Sequence, residues 1–331
     1  MATQLRQAPL RDRTEDRALF VAPDGYERAL WAARERLNVL LVAERGAGKT
    51  TVLRQLQLAL RDGAHGGAVV FVDLAGAETP DRALALIAAA AAEALADAPV
   101  GWIPPLPRPG ESDADRNTRF ALDQLAELEP CTLLLDNVRA EHVGYPLFGT
   151  FRDRLWEMPH QWLVGAGELD RRWLLRPPAD AFWEEVVEIS LTAAAARELL
   201  ERRLGARPDW LERVVEQVGT NPRSLIAAAL AASRDGEGAD AALAPWEDWQ
   251  RRVGELDARS AALIAELSAR GAVSASDPDL LSGLGWARTS LLRTLERREA
   301  AGLVESFNEP GGRGRPRRLY ATTEPGRRRR G

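Results

Sequence analysis

Residues 39–53 read Val-Leu-Leu-Val-Ala-Glu-Arg-Gly-Ala-Gly-Lys-Thr-Thr-Val-Leu. The apolar run 39–42 implies a buried strand, Gly46 and Gly48 allow a tight backbone turn without a Cβ, and Lys49, Thr50 and Thr51 open a helix. The chemistry served by such spacing is phosphate binding, because several backbone N–H groups converge at the positive end of a helix. Lys49 would reach the outer phosphates, and the Thr50 hydroxyl would ligate a divalent cation. Lys49 is also the only lysine among 44 Lys and Arg residues. A composition that uses arginine everywhere else keeps a compact ammonium at the one position where it suits the task.

The pattern resembles the P-loop (Walker A), G-x-x-x-x-G-K-[ST], with Ala43 in place of the first glycine. That resemblance assigns Ala43, Gly46, Ala47, Gly48, Lys49, Thr50 and Thr51 to a nucleotide, with ATP and Mg²⁺ as the implied ligands. Residues 131–137, Cys-Thr-Leu-Leu-Leu-Asp-Asn, form an apolar run ending in a carboxylate, as a parallel strand buried on both faces would. They resemble Walker B, in which Asp136 helps Thr50 hold Mg²⁺. Many AAA+ proteins place a glutamate next to polarise the attacking water, and here Asn137 stands in its place. An amide orients water but cannot take its proton, so the catalytic set Lys49, Asp136 and Asn137 predicts slow hydrolysis unless Glu141, His142 or Glu168 substitutes. Asp-Asn at this spot is also found in regulatory STAND ATPases, where nucleotide acts mainly as a switch.

The elements around these motifs alternate. Strands are expected at 68–73, 131–137, 162–165 and 186–191, and helices at 28–36, 50–61, 80–97 and 115–129. This gives an α/β core with a mostly parallel sheet and helices on both faces. Residues 1–18 are polar and read as a mobile N-terminal arm. The segment 19–37 resembles the leading segment of STAND and Orc/Cdc6-type AAA+ ATPases, which touches adenine; Ala22-Pro23-Asp24 stands where those families often carry an arginine. The Pro-rich stretch 99–113 is a loop in which Trp102 and Ile103 would dock on the body. Arg171 and Arg172 are candidates for charge-stabilising arginines.

From Thr192 the pattern is helical, with segments 192–204, 208–218 and a third opened by Asn221-Pro222. This resembles the all-α lid subdomain of AAA+ and STAND ATPases, and the resemblance makes Arg223 a phosphate-facing arginine. Residues 233–240 read as a linker, and Pro245 as the start of a connecting helix.

Residues 258–331 carry 14 Arg against 8 Asp and Glu, a balance of +6, so the formal total of −5 leaves −11 on residues 1–257. A basic segment on an acidic body suits an appended nucleic-acid reader. Helices at 258–269, 276–284 and 287–301, then strands at 302–307 and 317–322 around a Gly- and Arg-rich tip, resemble a winged helix-turn-helix. Its second motif helix enters the major groove, which assigns Arg288, Thr289, Ser290 and Arg293 to bases or phosphates. Leu292 lies where a polar contact is usual, leaving a thymine-methyl contact or a protein interface. The tip, with Arg313, Arg315, Arg317 and Arg318, resembles an AT-hook for a narrow minor groove. The tail 326–331 adds phosphate attraction.

The expected organisation is an N-terminal arm (1–18), a P-loop NTPase core (19–191), a helical lid (192–232), a linker and connecting helix (233–257), a C-terminal winged-helix (α+β) domain (258–325) and a basic tail (326–331). One cysteine and three histidines argue against a dedicated Cys/His metal site and suit a cytoplasmic setting. No stretch resembles a signal peptide or membrane span. The function read from these features is an ATP switch acting on double-stranded DNA, as a transcription regulator or an Orc/Cdc6-like ATPase, with self-association through the ATPase core. The alternative is a STAND-type signalling ATPase whose winged helix binds a protein partner. A metabolic kinase would need an acceptor pocket that no motif supplies.

Overall fold

The computed structural model describes residues 5–6, 8–11, 14–63, 67–95, 108–168, 170–234, 239–309 and 317–325. Trp102, Ile103, Arg313, Arg315 and the tail 326–331 lie outside the described residues, as does the side chain of Arg317. The chain forms two compact units, Pro9–Ser190 and Leu191–Gly331 with Met1–Ala8.

The first unit opens with α1 (Thr14–Ala18) and α2 (Tyr26–Arg34), then β1 (Val39–Ala43), α3 (Lys49–Asp62), β2 (Ala68–Asp73), α4 (Pro80–Leu95), α5 (Asp113–Glu127) and β3 (Cys131–Asp136). Short π-helical turns, Ala140–Gly144 and Pro146–Thr150, lead to α6 (Arg152–Trp156), β4 (Gln161–Gly167), α7 (Arg171–Leu174) and β5 (Glu185–Glu188). The strands form one parallel sheet in the order β2-β3-β4-β1-β5. Within the expected N-terminal arm, α1 is helical and Leu10 is buried, with its N–H donating to the Thr51 hydroxyl at 3.3 Å.

Strand alternation sorts the apolar side chains into two cores. Leu40, Val42, Val70, Val72, Leu133 and Leu135 pack with Leu84, Ile87 and Leu122 of α4 and α5, and with Phe148. Val39, Leu41, Val69, Leu134 and Leu163 pack on the other face with Leu30 of α2 and with Val52, Leu53 and Leu56 of α3. Continuing that alternation, Asp136 follows Leu134 onto the α3 face, and Asp73 follows Phe71 onto the same face. Gly165 of β4 lies there too. A Cβ on it would stand 2.9 Å from Leu53 Cδ1 and 3.6 Å from Asp136 Oδ1, so its smallness lets α3 lie close to the sheet. Leu53 is fully buried, and truncation to alanine there removes about 2–5 kcal/mol of stability.

The second unit begins with α8 (Ala193–Leu204), whose N-cap Thr192 accepts the Ala195 N–H at 3.1 Å and whose last turn closes on Gly205 at φ 67°. α9 (Leu211–Val218), α10 (Pro222–Arg234) and α11 (Ala239–Gly254) complete the helical part. Helix α11 starts ahead of Pro245, which sits inside it. Its buried Ala242, Leu243, Trp246 and Trp249 recur on one face, and burial of that stripe outweighs the bond lost at the proline. Helix α9 begins at Leu211 rather than at Pro208, whose carbonyl instead closes a turn on the Leu211 N–H.

The remaining elements are α12 (Ala258–Arg270), β6 (Val273–Ser274), α13 (Pro278–Leu284), α14 (Arg288–Ala300), β7 (Val304–Glu309) and β8 (Arg317–Thr322). The strands form an antiparallel sheet ordered β6-β8-β7, so a short third strand joins the expected hairpin. This is a winged helix-turn-helix. Leu263, Ile264, Leu267, Leu291, Leu295 and Tyr320 fill its core, and Trp249 of α11 enters that same core.

Candidate functional site

The turn after β1 is built by two left-handed glycines, Gly46 at φ 90° and Gly48 at φ 95°. Gly48 is the N-cap of α3 with no side-chain cap, and the space beside its Cα is open, so the requirement there is conformational. The Ala47 N–H closes the turn on the Glu44 carbonyl at 3.2 Å. Lys49 Nζ donates to the carbonyls of Ala43 and Glu44 at 3.0 and 3.2 Å, curling back over the loop. Thr50 Oγ1 donates to Asp136 Oδ2 at 2.5 Å, joining two motifs 86 positions apart. Asp136 is 2% exposed. Burial pushes its carboxyl above the ordinary range, while the Thr50 hydroxyl and the Asn137 N–H hold it down.

A hydroxyl and a buried carboxylate in contact are the hard oxygen pair that suits Mg²⁺, and a helix N-terminus without a side-chain cap, beside the chain's one lysine, suits a polyphosphate. The donor set therefore fits both implied ligands. The structure brings Ala43, Gly46, Ala47, Gly48, Lys49, Thr50 and Asp136 to one edge of the sheet. Thr51, one residue on, has its hydroxyl engaged by the Leu10 N–H. Arg223 belongs to the second unit, exposed in the first turn of α10, with its N–H accepted by Asn221 Oδ1 at 3.2 Å.

Two carboxylates at this edge belong to no motif. Asp73 ends β2 in register with Asp136. Its Oδ1 accepts from Asn137 Nδ2 at 2.9 Å and from the Ala75 N–H at 3.0 Å. Asn137 itself is left-handed, at φ 57°, a conformation that asparagine tolerates. Asp170 follows β4 and accepts the Gly167 N–H at 2.9 Å. Burial raises its carboxyl too, opposed by that bond and by the charges of Lys49 and Arg172. Of the groups that the sequence offers as substitutes for the missing glutamate, Glu141 lies 4.0 Å from His142, and Glu168 lies 3.6 Å from Arg171. Arg171 also meets Glu188 at 2.5 Å. Cys131 is buried against His160, Sγ to Nδ1 3.4 Å, with burial pushing its thiol up to about 11. This pair is core, as the apolar run around Cys131 implies.

On the winged helix, Arg288, Thr289 and Arg293 of α14 are exposed and Ser290 is half-buried. Leu292 is partly buried against the domain core, so only part of its side chain is open to a thymine methyl or a partner. Arg318 is exposed but engaged. It donates to Glu299 Oε2 at 2.9 Å and to Ser306 Oγ at 3.0 Å, and lies over the Tyr320 ring. Among the described residues no group of His, Cys, Asp and Glu could hold a metal ion by itself, and no helix is long and apolar enough to cross a membrane.

No protein-family model matches the chain, and no curated protein matches it. Solved structures do. The Orc1 protein of Aeropyrum pernix, solved in complex with DNA, superposes with a TM-score of 0.50 at 17% identity over 92% of each chain. Cdc6p from Pyrobaculum aerophilum gives 0.49 at 16% identity over 99% of this chain and 95% of that one. The Thermotoga maritima RuvB Holliday junction branch migration motor gives 0.47 at 18% identity over 97% and 96%. The fold is like that of the A. pernix Orc1 structure: a parallel α/β core with a P-loop, an all-helical part and a C-terminal winged helix.

Proposed function

We propose that this chain is a DNA-associated AAA+ ATPase in which bound nucleotide sets how the winged helix meets double-stranded DNA. The contact of Thr50 with Asp136 is the observation that supports it most, because two separate motifs close on each other at the start of α3. In this reading Ala43, Gly46, Ala47, Gly48 and Thr51 shape the cradle, Lys49 donates to the outer phosphates, and Arg223 of the lid faces them. Thr50 and Asp136 would hold Mg²⁺, which supplies charge neutralisation when bound. Arg288, Thr289, Ser290 and Arg293 take the major groove, and Arg313, Arg315, Arg317 and Arg318 the wing contacts. The ATPase core mediates self-association, and the setting is cytoplasmic. The domain limits proposed are those read from the sequence. The A. pernix Orc1 neighbour was solved in complex with DNA, which supports the DNA half of this reading.

One observation favours the alternative, a STAND-type signalling ATPase with a protein-binding winged helix. Arg318 is already neutralised by Glu299, which lowers the charge offered to a phosphate backbone. Fluorescence anisotropy on duplex DNA across a salt series, without nucleotide, with ADP and with ATP–Mg²⁺, separates the two. Salt-steep binding that shifts with nucleotide, and loses that shift in Lys49→Ala, supports the switch. No binding in any state rejects the DNA reading in favour of the protein partner.

A further inference from the structure

Asn137 cannot take a proton, and Glu141 and Glu168 lie beside His142 and Arg171. The structure instead turns Asn137 into a holder for another carboxylate. Asp73 stands at the carboxyl end of β2, paired in register with Asp136 on β3. In-register residues of neighbouring parallel strands point to the same face, and two further observations fix which face. Phe71, two residues earlier on β2, lies under the Arg54 guanidinium of α3, whose Cζ is 3.4 Å from the ring centroid. Asp136, the register partner, reaches Thr50 of the same helix. Asp73 is therefore on the phosphate face, and it is exposed. Asn137 Nδ2 and the Ala75 N–H both engage its Oδ1, and among the described residues its Oδ2 makes no hydrogen bond.

Resting on the ATP reading above, we propose that Asp73 is the catalytic carboxylate that activates the attacking water, and that Asn137 is its positioning residue. Asp73 Oδ2 takes a proton from water as the water oxygen bonds to the γ-phosphorus. The bond from that phosphorus to the β,γ-bridging oxygen breaks, its electron pair leaving on ADP. Orthophosphate departs and Asp73 returns its proton to solvent, so ATP and water give ADP, phosphate and a proton. The acid lies one strand over from the position that follows Asp136 in sequence, with the left-handed Asn137 linking the two strand ends.

The test uses the full chain. Equilibrium binding of a fluorescent non-hydrolysable ATP analogue with Mg²⁺ checks the ATP reading itself, and no binding by the native chain rejects both. Given binding, Asp73→Asn is expected to hold the analogue within about 3-fold of native yet to lose roughly 100-fold in single-turnover hydrolysis. It is also expected to lose at least 10-fold of the native chain's preference for ADP–aluminium fluoride over ADP, a readout independent of turnover. Asn137→Ala should lower kcat by roughly 10-fold with KM unchanged. Asp73→Ser, which keeps an acceptor for Asn137, gives the same pair of readings should Asp73→Asn misfold. Hydrolysis within 3-fold of native in the Asp73 variants, or a native chain that binds ATP and never turns it over, overturns the assignment while leaving nucleotide binding intact.

Discussion

At the carboxyl edge of the parallel sheet, Lys49, Thr50, Asp73 and Asp136 are placed by backbone: two left-handed glycines, a helix start and the register of β2 on β3. On α14, Arg288 and Arg293 are placed by helical spacing alone and project into solvent. The first region buries a carboxylate against its own desolvation cost, which a protein sustains where a ligand or neighbour compensates. The second asks nothing of the fold beyond a buried Leu291 and Leu295 to hold the helix down. A converging site is specified residue by residue and a charged face only as a patch, so single substitutions should act strongly on one and weakly on the other.

The largest effect expected from that contrast is at Lys49. Replacing it by alanine removes a charged donor to phosphate, about 3 kcal/mol or roughly 100-fold in ATP affinity. The melting temperature should move by only a few degrees, since Lys49 is a partly exposed side chain bonded to two carbonyls of its own loop. Titration calorimetry with ATP and Mg²⁺ measures the first quantity. An affinity loss under 5-fold would break the assignment of the loop to phosphate.

Next in size is the pair Arg288→Ala and Arg293→Ala. Each should cost roughly 3- to 10-fold in DNA affinity and flatten the salt dependence by about one counterion, without changing stability. Losses spread this evenly are what a patch produces. A single arginine accounting for nearly all the affinity would show that α14 reads a base with it, and the contrast would narrow.

The two regions also differ in how much of each is legible in the amino-acid sequence. The glycines, Lys49 and Thr50 are legible because a tight turn opening a helix needs those residue types in fixed order, and Asp136 because the run Leu-Leu-Leu-Asp-Asn resembles Walker B. Asp73 is not. It ends an ordinary strand, and its meaning arises from pairing with a strand more than 50 residues away, which sequence spacing does not encode. The π-helical turns at Ala140–Gly144 and Pro146–Thr150 are equally silent, since no side-chain pattern distinguishes such turns. Proline usually opens helices, which puts the expected start of α11 at Pro245, and the buried stripe through Trp246 and Trp249 overrides that rule. The winged helix is legible as a succession of elements, whereas the partners of Arg318 are not, because Glu299 and Ser306 reach it across a helix and two strands.

A smaller effect should appear at Asp170. Its carboxyl is raised above its unfolded value, so the native state holds a proton that the unfolded chain has already released, and stability falls as pH rises from about 4 through the raised value. Asp170→Asn keeps an acceptor for the Gly167 N–H and has no charge to desolvate. Its melting temperature should exceed the native one at pH 7, with the difference closing toward pH 4. Because Lys49 is one of the charges that hold the acid down, Lys49→Ala should steepen the native pH dependence. A pH-independent difference between the two proteins would mean that Asp170 is ionised and solvated in the fold.

The smallest effect expected is at Glu299, and it bears on the surface half of the contrast. Glu299 Oε1 accepts from the Ser306 hydroxyl at 2.5 Å while its Oε2 holds Arg318, so one carboxylate at the end of α14 ties down a wing arginine. Exposed pairs of this kind contribute less than about 1 kcal/mol to stability, so Glu299→Gln should leave the fold intact. It removes a negative charge from the helix and frees a positive one on β8. If α14 and the wing lie along a phosphate backbone, duplex affinity should rise by about 2- to 5-fold, most clearly at low salt where unscreened charges act furthest. Unchanged affinity would place Arg318 outside the DNA footprint, and the wing contacts would then have to come from the tip. A fall in affinity would mean that the Glu299 clamp presents Arg318 to DNA in a fixed pose, making this surface a built site after all.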